Sequence, residues 1–202
     1  MRAPVLILSL ALLAACGSGG GSSGSVDTSA RVATPTQAGQ FTGTPAEDIS
    51  TATIGFGPTD GYAVRIASDS GNRFSSVAGL LPQTDVTAPQ DSGTVTYSGR
   101  YDLYTVTDFE VSGGEAFFDS ERTRGDMTLT ADFDANTLTG ASQFGGLTVN
   151  GTLDGADLTG TTTYRGVTGT LKGLIGGDAA YGAFAGADAS LLYAGGFRAT
   201  PD

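Results

Sequence analysis

The chain has 202 residues, with 21 acidic and 10 basic side chains and a net charge of −11 at pH 7. This balance argues against nucleic acid as a partner, because phosphates require clustered Lys and Arg, and against adsorption on an anionic membrane surface. The acidity either keeps an exposed protein soluble or forms a site for a cationic partner.

The N-terminus has the layout of a secretory signal peptide. Arg2 precedes an apolar segment, residues 5–15, and small residues lead to Cys16, the one cysteine of the chain. The apolar segment is too short to cross a bilayer, which takes about 20 residues. We therefore predict that residues 1–15 are removed on export. A lone cysteine in an exported protein cannot form an internal disulfide, so Cys16 needs another explanation.

The run Leu13-Ala14-Ala15-Cys16 resembles the signal of bacterial lipoproteins. This resemblance implies that Cys16 receives acyl chains, palmitate among them, and becomes the first residue of the mature protein. More than one acyl chain holds a protein durably on a membrane. Because Gly17 and not Asp follows the cysteine, the resemblance also implies sorting to the outer membrane. The alternative is an ordinary signal peptide with an incidental cysteine.

A flexible tether is predicted after the signal. Residues 17–25 consist of Gly and Ser only, a composition that behaves as a random coil. The polar residues that follow extend it, so we expect the lipidated cysteine and tether to occupy residues 16–48. Residues 49–92 are predicted to be a small strand-rich segment. Its three strand-like runs are Ala52–Phe56, Gly61–Ala67 and Arg73–Val77.

From residue 93 onward, apolar and polar residues alternate in short stretches separated by Gly, Asp and Asn, which predicts antiparallel strands. In residues 126–133, for example, Met127, Leu129, Ala131 and Phe133 fall on one face. The pattern predicts eight strands, at about residues 94–104, 125–133, 137–143, 146–153, 157–165, 167–175, 179–186 and 190–199.

Eight antiparallel strands with one apolar face can hide that face by closing into a barrel. We therefore predict an all-β fold in which residues 93–202 form an eight-stranded antiparallel up-and-down barrel. Side chains fill the interior of a barrel of this size. Phe133 and Phe197 are expected in this core. The inward glycines are expected to make room for aromatic side chains that face them; they are Gly99, Gly151 and Gly169.

Several motifs occur in one order along the barrel segment, at Tyr97–Tyr101, Ala131–Asp134, Thr137–Gly140, Gly182–Gly186 and Ala194–Phe197. Together with the lipoprotein signal, they resemble the barrel domain of the transferrin-binding-protein-B-like surface lipoproteins. The resemblance implies a short member of that family with a single barrel, of the kind found in its N- and C-lobes.

The resemblance also implies a function. It predicts a lipoprotein whose barrel binds a protein or a small nutrient ligand. Residues 49–92 would be a reduced form of the family's N-terminal handle domain, or strands packed beside the barrel. Transferrin-binding members are longer and bilobed, and their transferrin-contacting loops have no recognisable counterpart here. We therefore do not expect transferrin binding itself.

The residue types disfavour catalysis and metal binding. The chain has no histidine and its cysteine is expected to carry lipid, so Ser-His and Cys-His nucleophiles and Cys/His zinc sites cannot be built. The commonest axial haem ligand is also absent, although tyrosine can ligate haem. Residues 132–136 resemble the opening of a calcium loop, but Thr137 and Gln143 stand where that loop requires Gly and Glu. We predict no enzymatic activity, no cofactor and no metal site.

The longest interruption between predicted strands is a loop at residues 105–124, which carries Phe117 and Phe118 among charged side chains. Loops of this length without structure of their own often have a function. One hypothesis is that Phe117 and Phe118 present aromatic anchors to a partner. The alternative is that they cover one barrel end or extend a strand.

Two functions remain open at this point. The first is a monomeric, surface-displayed outer-membrane lipoprotein that binds its ligand on outer loops or at the junction with residues 49–82. The second is a structural or periplasm-facing envelope lipoprotein without a dedicated ligand. The signal, the tether and the barrel are common to both, so the sequence does not distinguish them.

Overall fold

A computed structural model describes residues 26–36, 39–44, 47–55, 59–69, 72–113, 115–144 and 146–202. Over these residues the fold is all-β, as predicted, with twelve strands and no helix. The strands are β1 (Asp27–Val32), β2 (Glu47–Gly55), β3 (Gly61–Ser68), β4 (Arg73–Leu80), β5 (Thr94–Ser112), β6 (Glu115–Asp132), β7 (Thr137–Ser142), β8 (Leu147–Asp154), β9 (Asp157–Tyr164), β10 (Val167–Ile175), β11 (Ala180–Ala187) and β12 (Leu191–Pro201). The predicted signal peptide, Cys16 and the Gly/Ser run at residues 17–25 lie outside the described residues.

Strands β5 to β12 close into one barrel, in the order β10-β11-β12-β5-β6-β7-β8-β9. Every neighbouring pair in it is antiparallel. The predicted eight-stranded barrel is therefore confirmed. The alternation located β7 to β12 closely because each of these strands has one face that must be buried inside the barrel.

Side chains fill the barrel interior, as predicted. Phe133 is 8% exposed and Phe197 is 0% exposed, so both belong to the core. The hydroxyl group of the buried Tyr193 also has hydrogen-bond partners in this core. It lies 3.1 Å from the carbonyl oxygen of Thr162 and 3.3 Å from that of Val167. Buried aromatic hydroxyls need such partners because an unpaired one costs desolvation energy.

The expectation for the inward glycines holds at one position of three. A Cβ on Gly169 would stand 2.5 Å from the Tyr193 hydroxyl oxygen, so this glycine does make room for an aromatic side chain. At Gly99 the Cβ would instead meet the neighbouring backbone, 2.1 Å from the carbonyl oxygen of Arg198, and at Gly151 it would meet a leucine side chain. Gly99 therefore permits close strand approach, and Gly151 leaves room for the side chain of Leu158.

The predicted loop at residues 105–124 is wrong. Strands β5 and β6 continue past the barrel rim as a two-stranded antiparallel ribbon. We call this ribbon, which comprises residues 105–124, the arm. A register shift between Thr107 and Glu110, with Asp108 at a φ of 52°, bends β5 within the arm. The alternation of apolar residues fades here because a ribbon beyond the rim has no interior to fill. Phe117 and Phe118 therefore lie on strand β6 and not in a loop.

A second, four-stranded sheet precedes the barrel, with strand order β1-β4-β3-β2. Strands β2, β3 and β4 overlap the three predicted runs, although Phe56 at the end of the first run lies outside the described residues. Part of the predicted tether at residues 16–48 is corrected, because β1 is a strand that pairs in parallel with Arg73–Ala78 of β4. Its polar residues alternate with small apolar ones, and this weak pattern resembles a linker in the sequence.

The small sheet lies against the outer wall of the barrel, over β11 and β12. The outward side chains of these two strands are small or aliphatic and are buried with Val64 and Phe74 of the sheet. They are Ala183, Ala185, Leu192 and Ala194. At Gly196 the approach is so close that a Cβ would stand 2.6 Å from the Tyr62 ring. Both faces of β11 and β12 are therefore buried.

Candidate functional site

The arm, the exposed phenylalanines and a group of acidic side chains all lie at one end of the barrel. In an up-and-down barrel, alternate connections lie at the same end, so the β5–β6, β7–β8, β9–β10 and β11–β12 turns share one rim. The arm projects from this rim, which we call the arm end. An ion pair links two of its connections, since Arg165 in the β9–β10 turn lies 3.7 Å from Glu121 of the arm.

The large hydrophobic side chains that stand exposed in the described part of the chain all belong to the arm end. Phe117 is 49% exposed, Phe118 is 37% exposed and Phe144 is 78% exposed. Phe117 and Phe118 lie on the arm, and Phe144 lies in the β7–β8 turn. These exposed apolar groups share one end of the molecule, which makes that end the candidate interaction site.

Phe117 and Phe118 have different surroundings, because successive side chains of a strand point to opposite faces. The Phe118 ring meets Phe74 of the small sheet edge-on, with centroids 6.5 Å apart. Phe109 of β5 contacts the same Phe74 ring at 5.2 Å. Phe118 therefore helps to hold the arm against the small sheet. Phe117 pairs with Glu110 on the other face and remains available for contact.

Phe144 is a site residue that the sequence reasoning missed. The Tyr101 hydroxyl donates to the Phe144 carbonyl at 2.9 Å, which fixes the turn to the barrel. The Leu147 N–H donates to the Ser142 hydroxyl oxygen at 3.0 Å and closes the turn from its other side. The available signal was a large aromatic residue that interrupts the polar and glycine-rich residues of a short connection.

The arm end is acidic. Five carboxylates stand between residues 105 and 121 of the arm, which contains no basic residue in that range: Asp108, Glu110, Glu115, Asp119 and Glu121. In the β11–β12 turn, Asp188 accepts hydrogen bonds from the N–H groups of Ser190 and Leu191 at 2.7 and 2.9 Å. These bonds, that from Ser190 above all, lower the pKa of Asp188 and keep it charged.

A second cluster lies at the junction of the sheet and the barrel, around Asp102. Its carboxylate accepts from Arg122 Nε at 2.9 Å, from Arg124 Nε at 2.5 Å and from the Tyr62 hydroxyl at 3.4 Å. Burial, with a further contribution from the Asp102 charge, raises the pKa of Tyr62. The hydrogen bond to Asp102 raises the pKa of Arg124. The Arg122 guanidinium also lies over the Tyr104 ring, 5.0 Å from its centroid.

The carboxylates of the segment that resembles a calcium loop form hydrogen bonds within the fold. Within the described residues, no cluster of three or more Asp, Glu, Cys or His side chains is placed to hold a metal ion. In the segment that resembles a calcium loop, Asp132 accepts from the Ala135 N–H at 2.8 Å and Asp134 from the Gly93 N–H at 3.1 Å. Both carboxylates thus stabilise the β6–β7 turn. None of the described segments forms a helix long and apolar enough to span a membrane.

Comparisons with known proteins concern the fold. No protein-family model matches this sequence, and no curated protein is significantly similar to it. The solved structures similar to this chain include the crystal structure of a surface lipoprotein, at 16% identity and a TM-score of 0.49, covering 78% of this chain and 82% of that one.

Two further similar structures are much longer than the part that this chain matches. A transferrin binding protein B variant from Haemophilus parasuis Hp5 matches 78% of this chain and 38% of its own, at 16% identity and a TM-score of 0.48. The haemoglobin receptor HpuA from Kingella denitrificans matches 71% of this chain and 54% of its own, at 18% identity and a TM-score of 0.38. The barrel fold is assigned from the strand pairs of this chain, independently of these similar structures. Solved structures of transferrin binding protein B, the protein whose family the motifs resemble, are thus among those similar to this chain.

Proposed function

We propose that this chain is a lipid-anchored outer-membrane lipoprotein, displayed at the cell surface, that binds a protein through the arm end of its barrel without catalysing a reaction. The observation that carries the proposal is the concentration of the exposed phenylalanines at that one end. Aromatic side chains are enriched at the centres of protein interfaces because they bury a large area on contact.

The charge of the arm end indicates which charge the contacting surface of the partner carries. Phe117 stands among the five carboxylates of the arm. Electrostatic complementarity steers association and disfavours wrong partners. The partner surface that fits is therefore basic around an apolar contact. A small ligand inside the barrel is a weaker candidate, because buried side chains occupy the interior.

The proposed anchor uses the sequence that precedes the described residues. Acyl chains on Cys16 would hold the protein on the membrane, and the Gly/Ser run at residues 17–25 would separate the folded part from it by roughly 15–18 Å. The barrel could then face a partner without contacting the lipid surface. Protease treatment of intact cells tests the display: cleavage supports it, and protection supports the periplasm-facing alternative.

Binding at the arm end is tested with the full-length protein and a paired variant. Phe117→Ser/Phe144→Ser removes both exposed rings, and the variant should remain folded because neither ring belongs to a core cluster of the described residues. Asp154→Ser/Ala156→Ser makes one change at the end of β8 and one in the β8–β9 turn, at the opposite barrel end. Proteins retained from host or environmental extracts should be lost with the first variant only. Equal retention by both variants would contradict the proposed site.

A further inference from the structure

We propose that the protein has a second binding surface, the open edge of β6 beside Ser120, Arg122 and Arg124. This edge takes up an extended segment of another protein as an added strand. Acidic and basic side chains alternate along that segment. The inference rests on the backbone and charges of β6 and is independent of the exposed phenylalanines proposed as the arm-end contact.

Strand β6 has a neighbour on one side only over much of its length. It pairs with β5 from Glu115 to Asp132, whereas β7 pairs with it only from Met127 onward. Among the strands that the structure describes, none pairs with the outer edge of β6 between Glu115 and Asp126. Strand β6 contains no proline in this stretch, and the register shift of the arm lies in β5.

The backbone of this edge is directed outward. The Asp126 carbonyl accepts from the Gln143 N–H at 2.9 Å, on the β7 side of β6. In an antiparallel sheet, alternate residues direct both backbone groups to the same neighbour. Since the pairing of β6 with β5 is regular from Asp126 up to the bulge, Arg124, Arg122 and Ser120 direct their N–H and C=O groups to the open side. Such a row is a template for strand addition.

The two faces of the edge carry opposite charges. On the outer face, Arg122 and Arg124 share one carboxylate, that of Asp102, at 2.7 and 2.5 Å. Two guanidinium groups on one carboxylate leave a positive charge, and the Arg124 side chain is 63% exposed. On the opposite face, Asp119 and Glu121 are exposed and acidic, and Arg165 lies 3.7 Å from the Glu121 carboxylate. An added strand with acidic residues on the first face and basic residues on the second is complementary to both.

A second copy of the chain does not fit this edge. Antiparallel pairing of two identical β6 strands keeps like faces together, so Arg122 would oppose its own counterpart in one register and Arg124 in another. In the register between these two, Arg122 would oppose Arg124, and one step beyond the Arg122 register Glu121 would oppose its own counterpart. Like charges directly opposite each other destabilise a strand pair. These charges protect the edge from self-pairing, as edge charges do in other sheets.

Two synthetic octapeptides of equal composition test the proposal on the full-length protein. One alternates Glu and Lys, and the other places four Glu before four Lys, so that only the first can present one charge on each face. Fluorescence anisotropy should show at least about ten-fold tighter binding of the alternating peptide. Its binding should also slow hydrogen exchange at the amides of Ser120, Arg122 and Arg124. Equal affinities, or protection elsewhere in the protein, would overturn the proposal.

Variants separate strand addition from simple charge attraction. Ser120→Pro removes an outward N–H while leaving the β5 hydrogen bonds in place, and should abolish binding of the alternating peptide. Arg122→Gln/Arg124→Gln should weaken it about ten-fold, whereas Lys172→Gln on the outer face of β10 should not change it. If only the arginine variant loses binding, the site captures carboxylates without adding a strand and the proposal is wrong. If Ser120→Pro does not fold, hydrogen exchange in the original protein decides.

Discussion

Phe197 on β12 lies directly opposite Gly182 on β11, and its ring occupies the space where a Gly182 side chain would stand. A Cβ at Gly182 would lie 2.2 Å from Phe197 Cε1 and 2.3 Å from Cζ. Gly186 and Tyr193 have the same relationship across the same pair of strands. The aromatic rings of β12 can therefore fill the barrel because the glycines of β11 leave room for them.

This relationship predicts a non-additive pair of substitutions. Phe197→Ala should lower the free energy of unfolding by about 3–5 kcal/mol through the cavity it leaves, and Gly182→Ala by about 1–3 kcal/mol through overpacking. The double variant should lose less than the sum, because the shortened side chain frees space for the added methyl group. Urea unfolding measures all three, and strictly additive losses would contradict the packing described here.

A second prediction concerns the small sheet on the barrel wall. Ala185 is buried beneath the sheet, while its cross-strand partner Thr170 is exposed on the same outer face of the barrel. Ala185→Asp should cost more than about 3 kcal/mol, because it buries an unpaired charge, and should make residues 26–80 sensitive to limited proteolysis. Thr170→Asp is the matched control and should change stability by less than about 0.5 kcal/mol. Similar protease resistance of both variants would show that the sheet does not depend on this contact.

Acid should weaken the attachment of residues 81–93, which link β4 to β5, to the connection between β10 and β11. Asp178 accepts from the backbone N–H and the hydroxyl of Thr87, both at 2.8 Å, and the backbone bond above all lowers the pKa of Asp178. A carboxyl whose pKa is lower in the folded state stabilises it at neutral pH, and this contribution is lost as the pH falls below about 4. Asp178→Asn should therefore be less stable than the original at pH 7, with a smaller difference at pH 3. A difference independent of pH would be the contrary result.

Lipidation makes a prediction about processing. If Cys16 carries acyl chains, Cys16→Ser should block cleavage of the signal and leave a precursor of full length, which immunoblotting of the membrane fraction can detect. Cys16 is the one thiol of the chain, so metabolic labelling with a fatty-acid analogue should also disappear in this variant. A Cys16→Ser protein that is cleaved and still retained in the membrane would contradict the anchor.

The strand pattern predicted β7 to β12 well because each has a face that must be hidden inside the barrel. The same pattern failed on the arm, where Asp119 and Glu121 occupy the face that Leu129 and Ala131 occupy within the barrel. The covered outer wall was also missed, although its sequence signal was present. In β11 three of the four residues between the inward ones are alanine, and the fourth is Tyr181, which indicates a strand buried on both faces.

The candidate site was predicted only in part. Phe117 and Phe118 drew attention as aromatic residues among charges, but the sequence does not show that the strand directs them to opposite faces. Phe118 contacts Phe74, a residue 44 positions earlier in the chain, and only the docking of the sheet brings the two together. The cluster around Asp102 depends on cross-strand pairing with Arg124, which a loop at residues 105–124 could not provide.

Binding at the arm end is the central claim, and site-specific photocrosslinking tests it most directly. p-Benzoylphenylalanine can replace Phe117, Phe144 or, at the opposite end of the barrel, Ala156 in the full-length protein on intact cells. On illumination in host or environmental extracts, we predict that the probes at positions 117 and 144 capture the same protein and that the probe at position 156 does not. Equal capture from all three positions, or capture from position 156 alone, would contradict the claim.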